Sequence, residues 1–226
     1  MASSHPAFLS RALPVSERPR YGLHREVSVT NKLRVETCRG DALAAHLPAL
    51  ARLRLTVFRA WPYLYDGSEA YERTYLATYL RAPGAAIAIA WDGAEAVGAA
   101  TCLPMPQAAA EVQTSFLAAG WDLDTLFYFG ESVLLPAYRG QGIGVRFFEL
   151  REAQARAHEA TTATFCAVQR PPDHPQRPAD ATTLDAFWTH RGYAKQPALT
   201  CHMSWKDIGD AEETTKTMQF WLRLLP

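Results

Sequence analysis

The residues best placed to do chemistry are Arg139-Gly140-Gln141-Gly142-Ile143-Gly144. They follow an apolar stretch at 126–135 (LFYFGESVLL) that reads as a strand and stops at Pro136. A helix is expected behind them, from about 142 to 158. Glycines let the chain turn tightly and let a ligand approach the main chain closely. A helix start offers unpaired N–H groups and a positive dipole end, which together make an anion site. The first turn here holds no Asp or Glu, and the first acid is Glu149. Arg139 and Arg146 stand there instead, an unfavourable cluster unless an external anion neutralises it. The dinucleotide fingerprint needs a glycine at position 145, where Val145 stands, and no Gly-Lys-Ser/Thr follows for a P-loop.

What remains is R-x-x-G-x-G after a strand and a proline. This resembles the acyl-CoA pyrophosphate loop of the GNAT superfamily of N-acetyltransferases. The pattern V-x-P-x-x-R-G-x-G-I-G is met from Leu134 to Gly144, with Leu134 in place of Val. The order of elements from Leu33 to Leu225 also resembles that family. The resemblance implies an α+β fold with a mixed, mostly antiparallel sheet flanked by helices. It implies acetyl-CoA as co-substrate, no metal, and transfer of the acetyl group to a primary amine, of a small molecule, by direct attack in a ternary complex. It also implies that strand 126–135 splays from strand 163–168, with the pantetheine arm in the gap. Amides of Val133, Leu134 and Leu135 then bind the arm, one of them as an oxyanion donor. Arg139, Gly140, Gln141, Gly142, Ile143 and Gly144 hold the pyrophosphate.

Glu131 can be read directly. It shares a strand phase with Phe127, Phe129 and Val133, and a carboxylate in an apolar phase is costly unless paired or used. Burial is expected to raise its pKa and suit it to act as a general base. The competing reading makes it the structural partner of an arginine. A bulge at Gly130 would swing it to the other face. The general acid departs from the family. The motif N-x-x-A-x-x-L-Y-x-x-x-G-F aligns Trp188 with the usual Tyr, and an indole N–H is no useful proton donor. Tyr193, Tyr128 or water is left for that task.

The acceptor pocket is expected from loops 61–67 and 169–180, with Tyr63, Tyr65, Asp66, Arg170 and His174 as its candidates. Aromatics beside acids suit a cationic amine. Arg170 and Arg177 would equally hold an acceptor carboxylate.

The elements that must position these groups follow from periodicity. Strands are expected at 27–35, on Val27, Val29, Leu33 and Val35 with a fold at Asn31–Lys32, at 86–91, 96–103, 163–168 and 199–205 and at the C-terminus, with helices at 41–60 (restarted at Pro48), 66–81, 107–119 and 184–191. Asp66 with Glu69 reads as a capping box. Residues 1–24, rich in Ser, Pro and Arg, read as a flexible arm before one domain at 25–226. The 226 residues carry no net charge, so no nucleic-acid partner is expected. No run of 18 apolar residues predicts a membrane span. Four scattered cysteines read as free thiols, which suggests the cytoplasm. A homodimer is left open. The rival functions are a non-catalytic acyl-CoA-binding or sensing module and a protein N-acetyltransferase. Gly142→Val is expected to abolish acetyl-CoA binding by blocking backbone approach. Calorimetric titration of the folded variant checks this, and normal affinity would contradict the loop assignment.

Overall fold

The computed structural model describes residues 33–226. The expected arm at 1–24 and the strand phase at Val27 and Val29 lie outside the described residues. Alternation and the Asp92–Gly93 turn produce antiparallel strands at the start of a seven-stranded sheet. They are β1 (Leu33–Arg39), β2 (Ala86–Asp92) and β3 (Glu95–Pro104). The sheet continues through β4 (Leu126–Leu134), β5 (Thr162–Val168), β7 (Glu213–Leu224) and β6 (Ala194–Lys206), in the order β1-β2-β3-β4-β5-β7-β6. Only β4 and β5 pair in parallel. The last strands are longer than the pattern predicts, because a register shift between Lys195 and Thr200 absorbs Pro197.

Helices α1 (Leu43–Val57), α2 (Glu69–Leu80) and α3 (Ala110–Ala118) cover one face. Helices α4 (Ile143–Ala157) and α5 (Asp185–His190) cover the other. Leu50 and Leu53 bury the stripe of α1. Pro48 lies inside α1, which runs through it rather than restarting there. Ser68, not Asp66, caps α2 by accepting the Tyr71 N–H at 3.2 Å.

The register between β3 and β4 shifts between Ala100 and Cys102, so Gly130 and Glu131 together oppose Thr101. This bulge turns Glu131 away from Phe127 and Phe129, which pack under α4, and towards α1 and α2. Gly130 is required by a close approach. A Cβ there would lie 2.4 Å from the Tyr79 hydroxyl and 2.5 Å from Thr101 Oγ1. Gly130→Ala is therefore expected to cost about 1–3 kcal/mol through forced displacement of Tyr79. Urea denaturation measures it, and an unchanged midpoint would show that the bulge yields freely.

Candidate active site

β4 and β5 pair only where Leu126–Tyr128 face Thr162–Thr164. Beyond that point β4 runs on to Leu134 and β5 to Val168 with no ladder between them. The expected splay is present. Backbone groups of β4 that face the opening have no strand to receive them. The Leu135 N–H donates to Val97 O at 3.0 Å, and the alternation of the ladder turns Val133, opposite Ala99, the same way. Those two amides belong to β3, which corrects the expectation that all three bind a ligand. Of the three, Leu134 alone turns its N–H to the gap. Its carbonyl accepts Arg139 Nε at 3.3 Å.

The glycine loop sits at the open end of β4. Gly140 and Gly142 adopt φ of 76° and 81°, a left-handed conformation that side-chain-bearing residues rarely take. A Cβ at either would meet nothing within 4 Å, so the loop faces open space. Gly142 caps α4 with no side-chain bond, and the first intrahelical bond is Arg146 N–H to Gly142 O at 3.0 Å. The first-turn amides of Ile143 and Gly144 precede that bond and are left for an anion. A diphosphate fits this donor set. Arg146 is partly answered by Glu149 at 3.1 Å, so the cationic cluster is milder than the sequence suggests.

The bulge brings Glu131, 5% exposed, into a buried polar cluster. Arg54 on α1 lies between two carboxylates, Glu72 on α2 at 2.6 Å and Glu131. Glu131 also accepts the Tyr79 hydroxyl at 2.7 Å and the Thr101 hydroxyl. Tyr65 donates to Glu72 at 2.9 Å. Burial alone would push the Glu131 carboxyl up. Arg54 and the hydroxyls of Thr101 and Tyr79 outweigh it and hold the group below its ordinary value. The expected upward shift is thus overturned, and the arginine-partner reading describes the contacts. Arg54, Glu72, Thr101 and Tyr79 were not among the candidates. The signals available were a cation at the buried edge of the α1 stripe, and Glu72 and Tyr79 seven residues apart on one face of α2.

Tyr193 does not reach this cluster. It is buried beneath α4, and its hydroxyl donates to Glu152 at 3.2 Å beside Arg223. Arg223 pairs with Ala163, at the closed end of the splay. Burial and Glu152 raise its pKa far above the usual phenol value. Trp188 stacks edge-on against Phe165 and Trp221, each at 5.1 Å. Tyr128 is better placed. It is the last paired residue of β4 and reaches across the opening to Cys166 Sγ on β5 at 3.3 Å. Burial keeps this phenol protonated.

The acceptor candidates divide. Tyr63 packs between Phe58 and Trp205, and Tyr65 is buried on Glu72. Asp66 lies at the rim, 2.9 Å from Lys206. His174 lies against Trp61, at 5.3 Å between ring centres. Arg170 is a structural clamp: it grips Asp207 at 2.6 and 3.0 Å and the carbonyls of Pro62 and Tyr63 at 2.8 and 2.7 Å. It is not free to hold a substrate carboxylate. All four cysteines are buried free thiols. Among the described residues, no cluster of His, Cys, Asp and Glu could hold a metal ion, and no helix is long and apolar enough to cross a membrane.

A depressed carboxyl stabilises the fold above the unfolded value of about 4.5 and loses that contribution as pH falls through the folded value. Glu131→Gln is expected to cost about 3 kcal/mol at pH 7, since Arg54 loses a charged partner. The gap to the parent should narrow below pH 4. Urea unfolding of both proteins at pH 7 and 3.5 measures this, and a constant gap would contradict it.

A model of the acetyltransferase (GNAT) family matches residues 50–179, more than half of the 226. A putative acetyltransferase, yncA, from Salmonella typhimurium, solved with acetyl-CoA, has a similar structure. The two share 11% identity with a TM-score of 0.56, over 87% of this chain and 95% of that one. A putative acetyltransferase from Acinetobacter baylyi gives 14% and 0.58, over 87% and 93%. The ribosomal-protein-alanine N-acetyltransferase of Brucella melitensis gives 14% and 0.55, over 85% and 99%. At such identities the likeness is one of fold. No curated protein matches the chain by sequence. The family match, the parted strands and the glycine loop agree: this chain belongs to the GNAT family of acetyltransferases, whose acetyl donor is acetyl-CoA.

Proposed function

We propose that the chain transfers the acetyl group of acetyl-CoA to the primary amine of a small molecule, by direct attack within a ternary complex. The observation that carries this reading is the opening between β4 and β5, with the glycine loop at one end and a polar, tyrosine-rich cluster on its α1–α2 face. Acetyl-CoA supplies an activated thioester. The amides at 140–144 hold its diphosphate and the Leu134 N–H takes the thioester oxygen. Fixing donor and acceptor in one geometry supplies much of the rate.

The Tyr128 hydroxyl donates a hydrogen bond to the departing sulfur. A thiolate has an ordinary pKa of about 8.5, so water completes its protonation. Glu131 serves as an anion fixed in place rather than as a base tuned towards neutrality. An ammonium with pKa near 10 cannot pass its proton to so weak a base at equilibrium. The amine therefore enters as the minor neutral form. Its nitrogen bonds to the carbonyl carbon and becomes strongly acidic as the C–S bond breaks, the thiolate leaves with the bonding pair and the amide forms; even a depressed carboxylate then accepts the proton.

Release of CoA thiol with a panel of amines tests the reading. Amine-dependent release is expected, with a rising limb in kcat/KM that moves with the pKa of each amine. A limb fixed near pH 6.5 for all amines would reveal a raised enzyme base. Saturable acetyl-CoA binding without release for any amine would favour the sensing module. Release only with peptides would favour a protein acceptor.

A further inference from the structure

We propose that the α4 face carries a second anion site, separate from the glycine loop, in which Arg156, Arg191 and Arg223 take a phosphate group. The three arginines converge on one carboxylate. Glu152, buried on α4, lies 2.7 Å from Arg223 on β7, 3.6 Å from Arg191 just after α5 and 3.9 Å from Arg156 on α4. Only the first of these is a hydrogen bond, and the Tyr193 hydroxyl donates to the same carboxylate oxygen at 3.2 Å. Arg156 and Arg191 donate no side-chain hydrogen bond to any described residue. The Arg191 Nε is buried and has no partner among the described residues.

Three guanidinium charges against one carboxylate leave an excess of two positive charges. Arg151, buried on the same helix, adds another cation; its Nε donates to the Phe147 carbonyl, and its guanidinium lies 4.5 and 4.8 Å from the ring centres of Phe129 and Phe148. The acids nearby turn elsewhere, Glu149 to Arg146 and Asp185 to Lys195. The helix ends at Arg156 and Arg191 favour a cation, but each offers only about half an elementary charge. Guanidinium donors withdrawn from water without acceptors are costly, and an anion bound among them removes that cost. The side chains of Arg191 and Arg223 are 20% and 26% exposed, within reach of a compact anion but not of a duplex or a bilayer. Forks arriving from α4, α5 and β7 suit the oxygens of a tetrahedral phosphate, whereas a planar carboxylate takes a single fork. Glu152 stands about 13 Å along α4 from Ile143, so these donors are not those of the glycine loop. The site is independent of acetyl transfer, and its failure would leave the proposed function untouched.

The test is calorimetric titration of inorganic phosphate into the full-length protein saturated with CoA, at constant ionic strength with chloride as the balancing anion. One saturable site is expected, with a Kd below about 1 mM. Arg191→Gln should weaken it by about tenfold or more, as should Arg156→Gln at its more exposed position. Phosphate should raise the Tm of the parent and leave that of both variants unchanged. A variant that melts early yet still gains from phosphate would make its arginine a structural partner of Glu152 and overturn the proposal. Methyl phosphate, titrated in parallel, separates the sources: tighter binding than inorganic phosphate names a phosphomonoester, and weaker binding names the free ion. Acetate bound as tightly as phosphate would overturn the choice of anion. Absence of saturation would overturn the site. Saturation only without CoA would assign these arginines to the cofactor and overturn it equally.

Discussion

The parting of β4 from β5 after Tyr128 and Thr164 is the constraint on which the site depends. A strand inside a sheet spends its backbone groups on two neighbours. Over its last six residues β4 has one neighbour only, so the groups on its other side must find water or a ligand. The β3 ladder fixes which ones these are, because its alternation consumes every second residue.

A second constraint sits beside the first. The bulge at Gly130 moves one carboxylate out of the phenylalanine layer and into contact with Arg54. Three buried charges in contact are an expensive arrangement that a packed apolar core of the same volume would avoid. Hydroxyls of Thr101, Tyr79 and Tyr65 satisfy its oxygens and hold α2 against the sheet. The knot of Arg170, Asp207 and Lys216 does the corresponding task for the loop after α1. That loop carries Leu64 at φ 54°, a conformation costly for a leucine, and bonds from Ile208 to Leu64 O and from Asp66 to Lys206 O hold it in place.

How much of this was legible differs from residue to residue. Pro136, Arg139 and the three glycines stand in the turn at the start of α4 where their spacing puts them, because such a turn is made by local backbone and needs few distant contacts. The hairpin at Asp92–Gly93 and the helix stop at Gly192 are local in the same sense. Glu131 is different. Period-two reading puts it with Phe127 and Phe129, and one extra residue opposite Thr101 reverses its face. Tyr193 and Arg170 look like free functional groups in a list of residue types. Each is consumed by partners from elsewhere in the chain, Tyr193 by Glu152 on α4 and Arg170 by Asp207 just after β6.

The amino-acid sequence alone determined the element order, the place of the glycine turn before α4 and the family it resembles. Each rests on interactions within a few residues, which spacing and residue type encode. Only the tertiary structure decided which way the Glu131 carboxyl shifts, the partners that occupy Tyr193 and Arg170, and which of the three amides turns away from β3. Those outcomes depend on which group arrives from far along the chain, as Arg54 does from 77 residues before Glu131. Charge in a buried site is set by such arrivals, and periodicity carries no record of them.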